Sequence, residues 1–200
     1  MAVVEAKGVV DVIIKHDPSV PKSQKEAMLI LPGLEDGPKG REQLKERFGQ
    51  RQYDLYISDF HDRGSFDGTV RNLKEFYQGK KLDQYPKVHV FSFILGSWAL
   101  NAFINENGPH NITSIVYDRS PLQERAPWYV RDHLCLPGRM AKGKIVLDLG
   151  ETPYPVIEPG DIRVGILVES YATWFVKLFP QGIMSCGPIT WDNLDFQQKP

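Results

Sequence analysis

Short apolar runs alternate along the chain with longer amphipathic stretches. The runs cover residues 9–14, 27–31, 53–57, 88–91, 112–117 and 162–168, and most are rich in β-branched or aromatic side chains. Most are continuously apolar, which suits strands covered on both faces, as in a parallel sheet. The first run alternates most and is expected at an edge. Between the runs, residues 41–48 put Leu44 and Phe48 on one helical face. Residues 69–77 place Val70, Leu73 and Phe76 or Tyr77 at helical spacing, with Ser65 or Asp67 near to cap them. Residues 95–106 carry Ala99, Ala102 and Phe103 on one side and stop at Gly108-Pro109. Strand and helix alternating in this rhythm predict an α/β fold with a doubly wound, mostly parallel sheet between two helix layers.

The rhythm breaks over 120–150, where Pro121, Pro127, Trp128 and Pro137 fall. That stretch is expected to be a small covering segment on a single domain spanning 1–200, with little or no cap. Ligand sites in such sheets lie beyond the carboxyl ends of the strands. Pro32-Gly33-Leu34, Asp59-Phe60-His61, Ser92-Phe93-Ile94, Asp118-Arg119-Ser120 and Glu169-Ser170 are therefore the stretches to interrogate.

Composition narrows the field. The chain is 42% hydrophobic and 24% charged, with 24 Lys+Arg against 25 Asp+Glu. This excludes a disordered, collagen-like or coiled-coil chain. A net charge of -1 argues against nucleic acid or an anionic membrane as partner, because both demand a basic face. No apolar run is long enough to span a bilayer. Cys135 and Cys186 fit no metal-ligand or CxxC spacing. A reducing, cytoplasmic setting is expected, with no metal and no cofactor. The sequon Asn111-Ile112-Thr113 reads as chance.

One stretch is more specific. Val88-His-Val-Phe-Ser-Phe-Ile-Leu-Gly-Ser-Trp-Ala-Leu runs from a strand straight into a helix. It resembles the nucleophile elbow of the α/β-hydrolase family, whose pattern is Gly-x-Ser-x-Gly between a strand and a helix. Ser92 stands in the first glycine position, Ile94 in the nucleophile position and Gly96 in the second glycine position, with Phe93 and Leu95 between them. Leu29-Ile-Leu-Pro-Gly-Leu resembles the His-Gly turn that supplies an oxyanion-hole amide, with Pro32 in place of His. Asp59-Phe-His-Asp-Arg-Gly-Ser resembles the Asp-x-x-Gly-x-Gly-x-Ser stretch after the next strand. The resemblance covers roughly 9–170 and implies an α/β-hydrolase-like three-layer sandwich.

Its departures carry the functional reading. An isoleucine has no lone pair and no transferable proton, so no acyl-enzyme forms at position 94. The resemblance places a catalytic histidine late in the chain, yet the five histidines are His16, His61, His89, His110 and His133. Cys186, Gly187 and Pro188 stand where it would be expected. The acid of the triad maps to Glu169 or to Asp118, and orients nothing without its partners.

Relocated chemistry would need Ser92 or Ser97 as nucleophile and His61, flanked by Asp59 and Asp62, as base. Small packing residues and a loop histidine bonded to a carboxylate are the plainer readings. His133 reads as a surface residue and His89 as structural. Gly37-Pro38-Lys39-Gly40 lacks the Gly-Lys-Ser/Thr ending of a phosphate loop and reads as a turn into the 41–48 helix. No GxGxxG is present, and Asp54, Asp59, Asp62 and Asp67 have no spacing that fixes a metal.

The expectation is a non-catalytic, α/β-hydrolase-like protein acting through contact with another protein or with itself. Ile94, Phe93 and Leu34 would make the former reaction centre apolar. Two alternatives stay open. One is a small-molecule binding module for an apolar ligand, its pocket lined by Leu34, Phe93, Ile94, His61 and Glu169. The other is an ester or thioester hydrolase with displaced catalytic residues.

Overall fold

The computed structural model describes residues 11–33, 38–49, 52–119, 127, 131–132 and 135–168. In chain order they form β1 (Val12–Ile14), β2 (Glu26–Leu31), α1 (Pro38–Phe48), β3 (Asp54–Ile57), α2 (Phe66–Gly79), β4 (Lys87–Phe93), α3 (Ile94–Asn107), β5 (Ile112–Arg119), α4 (Cys135–Lys142), α5 (Ile145–Glu151) and β6 (Arg163–Val168). The strands make one sheet in the order β1-β3-β2-β4-β5-β6. β1 pairs antiparallel with β3, and every other pairing is parallel. The expected doubly wound, mostly parallel sheet is thus present, with the most alternating run at its edge.

Side-chain alternation along β2 builds the layers. Ala27, Leu29 and Leu31 face the larger core with α2 and α3, while Met28 and Ile30 face the smaller one with Leu44 and Phe48 of α1. α2 turns Val70, Leu73, Phe76 and Tyr77 inward, and the Ser65 side chain caps it by accepting from the Gly68 amide. α3 is buried almost all round, including Trp98, Leu100 and Phe103. Each such side chain contributes roughly 1.5–3 kcal/mol on burial. Its buried Asn101 is satisfied: it accepts from Tyr117 Oη at 2.7 Å and donates to the Pro155 carbonyl at 2.9 Å. α3 ends at Gly108, whose φ of 79° lies where only glycine sits without strain.

α1 corrects one expectation. It begins at Pro38, so Pro38, Lys39 and Gly40 are helical rather than a turn before Arg41. Proline at the first helical position costs nothing, because its missing N–H has no intrahelical partner there. The stretch expected to cover the sheet supplies α4 and α5. α5 docks on the start of α2, where the Phe66 amide donates to Asp148 Oδ2 at 3.2 Å. Asn111 is held by Tyr77 and by the Leu82 and Tyr85 carbonyls.

At the amino edge, β1 is pinned through Asp54, which is fully buried. Its carboxylate accepts from Lys15 at 3.3 Å, Lys25 at 3.1 Å, Tyr85 at 2.5 Å and the His16 amide at 2.8 Å. Lys15 also donates to Tyr85 at 2.8 Å and to Tyr56.

Candidate active site at the carboxyl edge

β4 and α3 meet without a spacer. Phe93 is extended, with φ -86° and ψ 166°, and Ile94 is the first helical residue. Among the described residues, the non-glycine residues with positive φ are Asp17, Lys81 and His110. Ile94 therefore lacks the strained left-handed backbone expected of a nucleophile elbow. A β-branched side chain is a true outlier at positive φ, so the identity of residue 94 and the relaxed turn agree physically.

Gly96 answers to close packing. A Cβ there would lie 2.5 Å from the Leu31 carbonyl oxygen, because α3 crosses the end of β2 directly. Ser92 faces the same core from the end of β4, opposite Leu31 in the sheet register. Ser92 and Ser97 are fully buried, and their hydroxyls bond each other at 3.0 Å. Phe93 packs instead toward α1, with its ring 5.2 Å from that of Phe91. Leu95 is buried in the larger core and Ile94 is half-buried.

His61 lies beyond β3. Its Nε2 stands 3.1 Å from the Pro32 carbonyl oxygen and its Nδ1 3.5 Å from Asp59 Oδ1. Asp59 is also paired with Arg41 of α1 at 2.8 Å. Burial alone would raise the Asp59 carboxyl, but the His61 hydrogen bond and the Arg41 charge hold it below the usual carboxylate range. The structure does not bring His61 to Ser92: the serine is bonded to Ser97, and the imidazole faces Pro32 and Asp59. Asp118, beside Phe93 in the register, is half-buried. Burial pushes its carboxyl up and the Arg47 charge partly offsets that.

Leu34, Glu169, His133, Cys186 and Pro188 lie outside the described residues, so the pocket lining is placed only for Phe93, Ile94 and His61. His89 bonds Ser114 at 2.7 Å and Glu26 at 3.0 Å at the opposite end of β4. Among the described residues no three His, Cys, Asp or Glu come together to hold a metal ion, and no helix is long and apolar enough to cross a membrane.

The residue that sequence reasoning missed is Arg41. Its spacing to Leu44 and Phe48 puts it on the apolar stripe of α1, where it is 6% exposed. A cation on that stripe requires a buried acceptor. That spacing was a readable signal for the pair with Asp59.

No protein family's sequence profile matches the chain, and no curated protein matches it in sequence. Solved structures do match. The mature lipase BlEst2 of Bacillus licheniformis superposes with a TM-score of 0.57 at 16% identity, over 91% of this chain and 84% of that one. Est1E from Butyrivibrio proteoclasticus gives 0.54 at 10% identity, over 90% and 83%. The Vlm2 thioesterase domain gives 0.51 at 11% identity, over 91% and 84%.

Proposed function

We propose that this chain, which has the α/β-hydrolase fold, works without catalysis, as a scaffold that contacts another protein or a second copy of itself. The carrying observation is the β4–α3 junction, where Ile94 opens the helix on ordinary backbone and offers no attacking atom. The polar groups nearby support this reading, since Ser92 and Ser97 occupy each other and the His61 ring nitrogens face Pro32 and Asp59. A base must reach the proton it removes.

The contact face we favour is α4. Leu136 and Met140, one helical turn apart, are 72% and 87% exposed. Neighbouring apolar side chains this exposed mark interaction surfaces more readily than scattered single residues do. The hydrolase reading is compatible with the structural relatives and requires the buried serine pair to come apart.

Two measurements test the proposal. Assayed against p-nitrophenyl esters and acyl thioesters, the purified chain should give turnover no faster than buffer. Turnover that disappears in Ser92→Ala or Ser97→Ala would overturn the non-catalytic reading. Crosslinking of the full chain in cells should yield a complex with itself or another protein that Leu136→Asp/Met140→Asp removes. An unchanged crosslinking pattern would overturn the assignment to α4.

A further inference from the structure

The exposed apolar side chains fall in regions of opposite charge. Among the described residues the large hydrophobic side chains left exposed are Leu136 and Met140 on α4, Val156 on the loop from α5 to β6, and Leu167 on β6. Arg139 is exposed as well, and its spacing of three and one to Leu136 and Met140 puts all three on one face of α4. Residues 133–147 hold Arg139, Lys142 and Lys144 and no acid. Lys144 is paired with Asp148 of α5.

The loop bearing Val156 has the opposite character. Residues 151–162 hold Glu151, Glu158 and Asp161 and neither Lys nor Arg. Glu158 and Asp161 are exposed. The backbone beneath them is anchored. Asn105 of α3 donates to the Val156 carbonyl at 2.8 Å, Asn101 donates to the Pro155 carbonyl at 2.9 Å, and the Ile162 amide donates to the Pro159 carbonyl at 2.8 Å. Ile157 is buried in the larger core between them. A segment held this way gives up little conformational freedom when a partner binds.

We infer that α4 of one copy docks on the 152–162 loop of a second copy. Resting on the reading of α4 as the contact face, this names its partner: Leu136 and Met140 meet Val156, and Arg139 faces Glu158 and Asp161. Arginine is the cation best suited to carboxylates at an interface. A symmetric contact of α4 with α4 would instead set Arg139 against Arg139, and like charges across an interface repel. The two patches are different surfaces, so the contact runs head to tail and continues into chains or closes into a ring. An eight-residue helix on a short loop falls at the small, transient end of protein contacts, so the association is weak and readily reversed.

Sedimentation velocity on the full chain over a wide concentration range tests it. The wild type should self-associate reversibly. Arg139→Glu and Glu158→Lys/Asp161→Lys should each weaken association by about tenfold or more while keeping the wild-type melt, because the changes are on the surface. An equimolar mixture of the two variants should form one-to-one pairs, since the unaltered α4 of one then meets the unaltered loop of the other. A wild type that stays monomeric throughout would overturn the pairing. So would association that Leu136→Asp/Met140→Asp removes but Glu158→Lys/Asp161→Lys leaves intact; α4 would then remain a contact face with a different partner. The wild type alone gives a further answer. Raising salt from about 50 to about 500 mM screens the charges and should weaken association, and association indifferent to salt would contradict the assignment.

Discussion

The two edges of the sheet treat their polar groups differently. At the amino edge one fully buried carboxylate, Asp54, gathers Lys15, Lys25, Tyr85 and a backbone amide. At the carboxyl edge, where ligands bind in open α/β sheets, two serines bond each other, and a histidine bonds a carbonyl and lies 3.5 Å from a paired aspartate. Half-buried Ile94 and Phe93 lie among them. The amino edge uses charge to pin a short edge strand. Among the described residues the carboxyl edge keeps its polar groups in separate small knots, none of which joins a nucleophile to a base.

The largest expected effect is at Asp54. Removing one member of a buried ionic network leaves the others uncompensated, so Asp54→Ala should cost about 3–5 kcal/mol in denaturant unfolding. A loss below about 1 kcal/mol, the range of exposed ion pairs, would mean the amino-edge network is not a clamp. The same carboxylate sets an acid limit. Burial would raise it, but hydrogen bonds from Tyr85 and Lys25 and the charge of Lys15 outweigh that and hold it below the usual range. A depressed folded-state pKa contributes stability that is present above the unfolded value of about 3.9 and lost as pH falls through the folded value. The acid melting curve should therefore flatten in Asp54→Asn.

Next in size is Gly96→Val, which forces a side chain onto the Leu31 backbone and should cost about 1–3 kcal/mol in thermal or chemical melts. An unaffected melt would show that α3 does not cross β2 as closely as described. Smaller still, Ser97→Ala should cost about 1 kcal/mol because it strands the buried Ser92 hydroxyl, and Ser92→Ala less, because Ser97 keeps the Phe93 carbonyl at 3.4 Å; the double variant should cost less than the sum of the two. Strict additivity would argue that the pair is not bonded. Leu136→Asp/Met140→Asp should change stability by no more than about 0.5 kcal/mol per site. A larger loss would make α4 part of the folded core.

Much of this fold was legible because its signals are local. The runs at 27–31, 53–57 and 88–91 announce strands by being short and mostly apolar, Ser65 announces a helix start, and Gly108 a helix stop. The chain order of those elements sufficed for a doubly wound sheet. What escaped was non-local or read too locally. Lys15, Lys25 and Tyr85 reach Asp54 across 39, 29 and 31 residues, and no short pattern records that convergence. Gly40 suggested a turn, although Pro38 two residues earlier is well placed to open a helix. At the candidate site, Ile94 was legible as a residue unable to attack. Its ordinary backbone was a consequence available from β-branching alone. The mutual bond of Ser92 and Ser97 depends on how α3 leaves β4, and Arg41 needed the apolar stripe of α1 to be read for its one charged member.

The most direct test of the account is the intact mass of the full-length protein after incubation with an alkyl fluorophosphonate, which needs a base-activated serine to react. The account predicts an unmodified mass even at long exposure. An adduct mapped to Ser92 or Ser97 would contradict it.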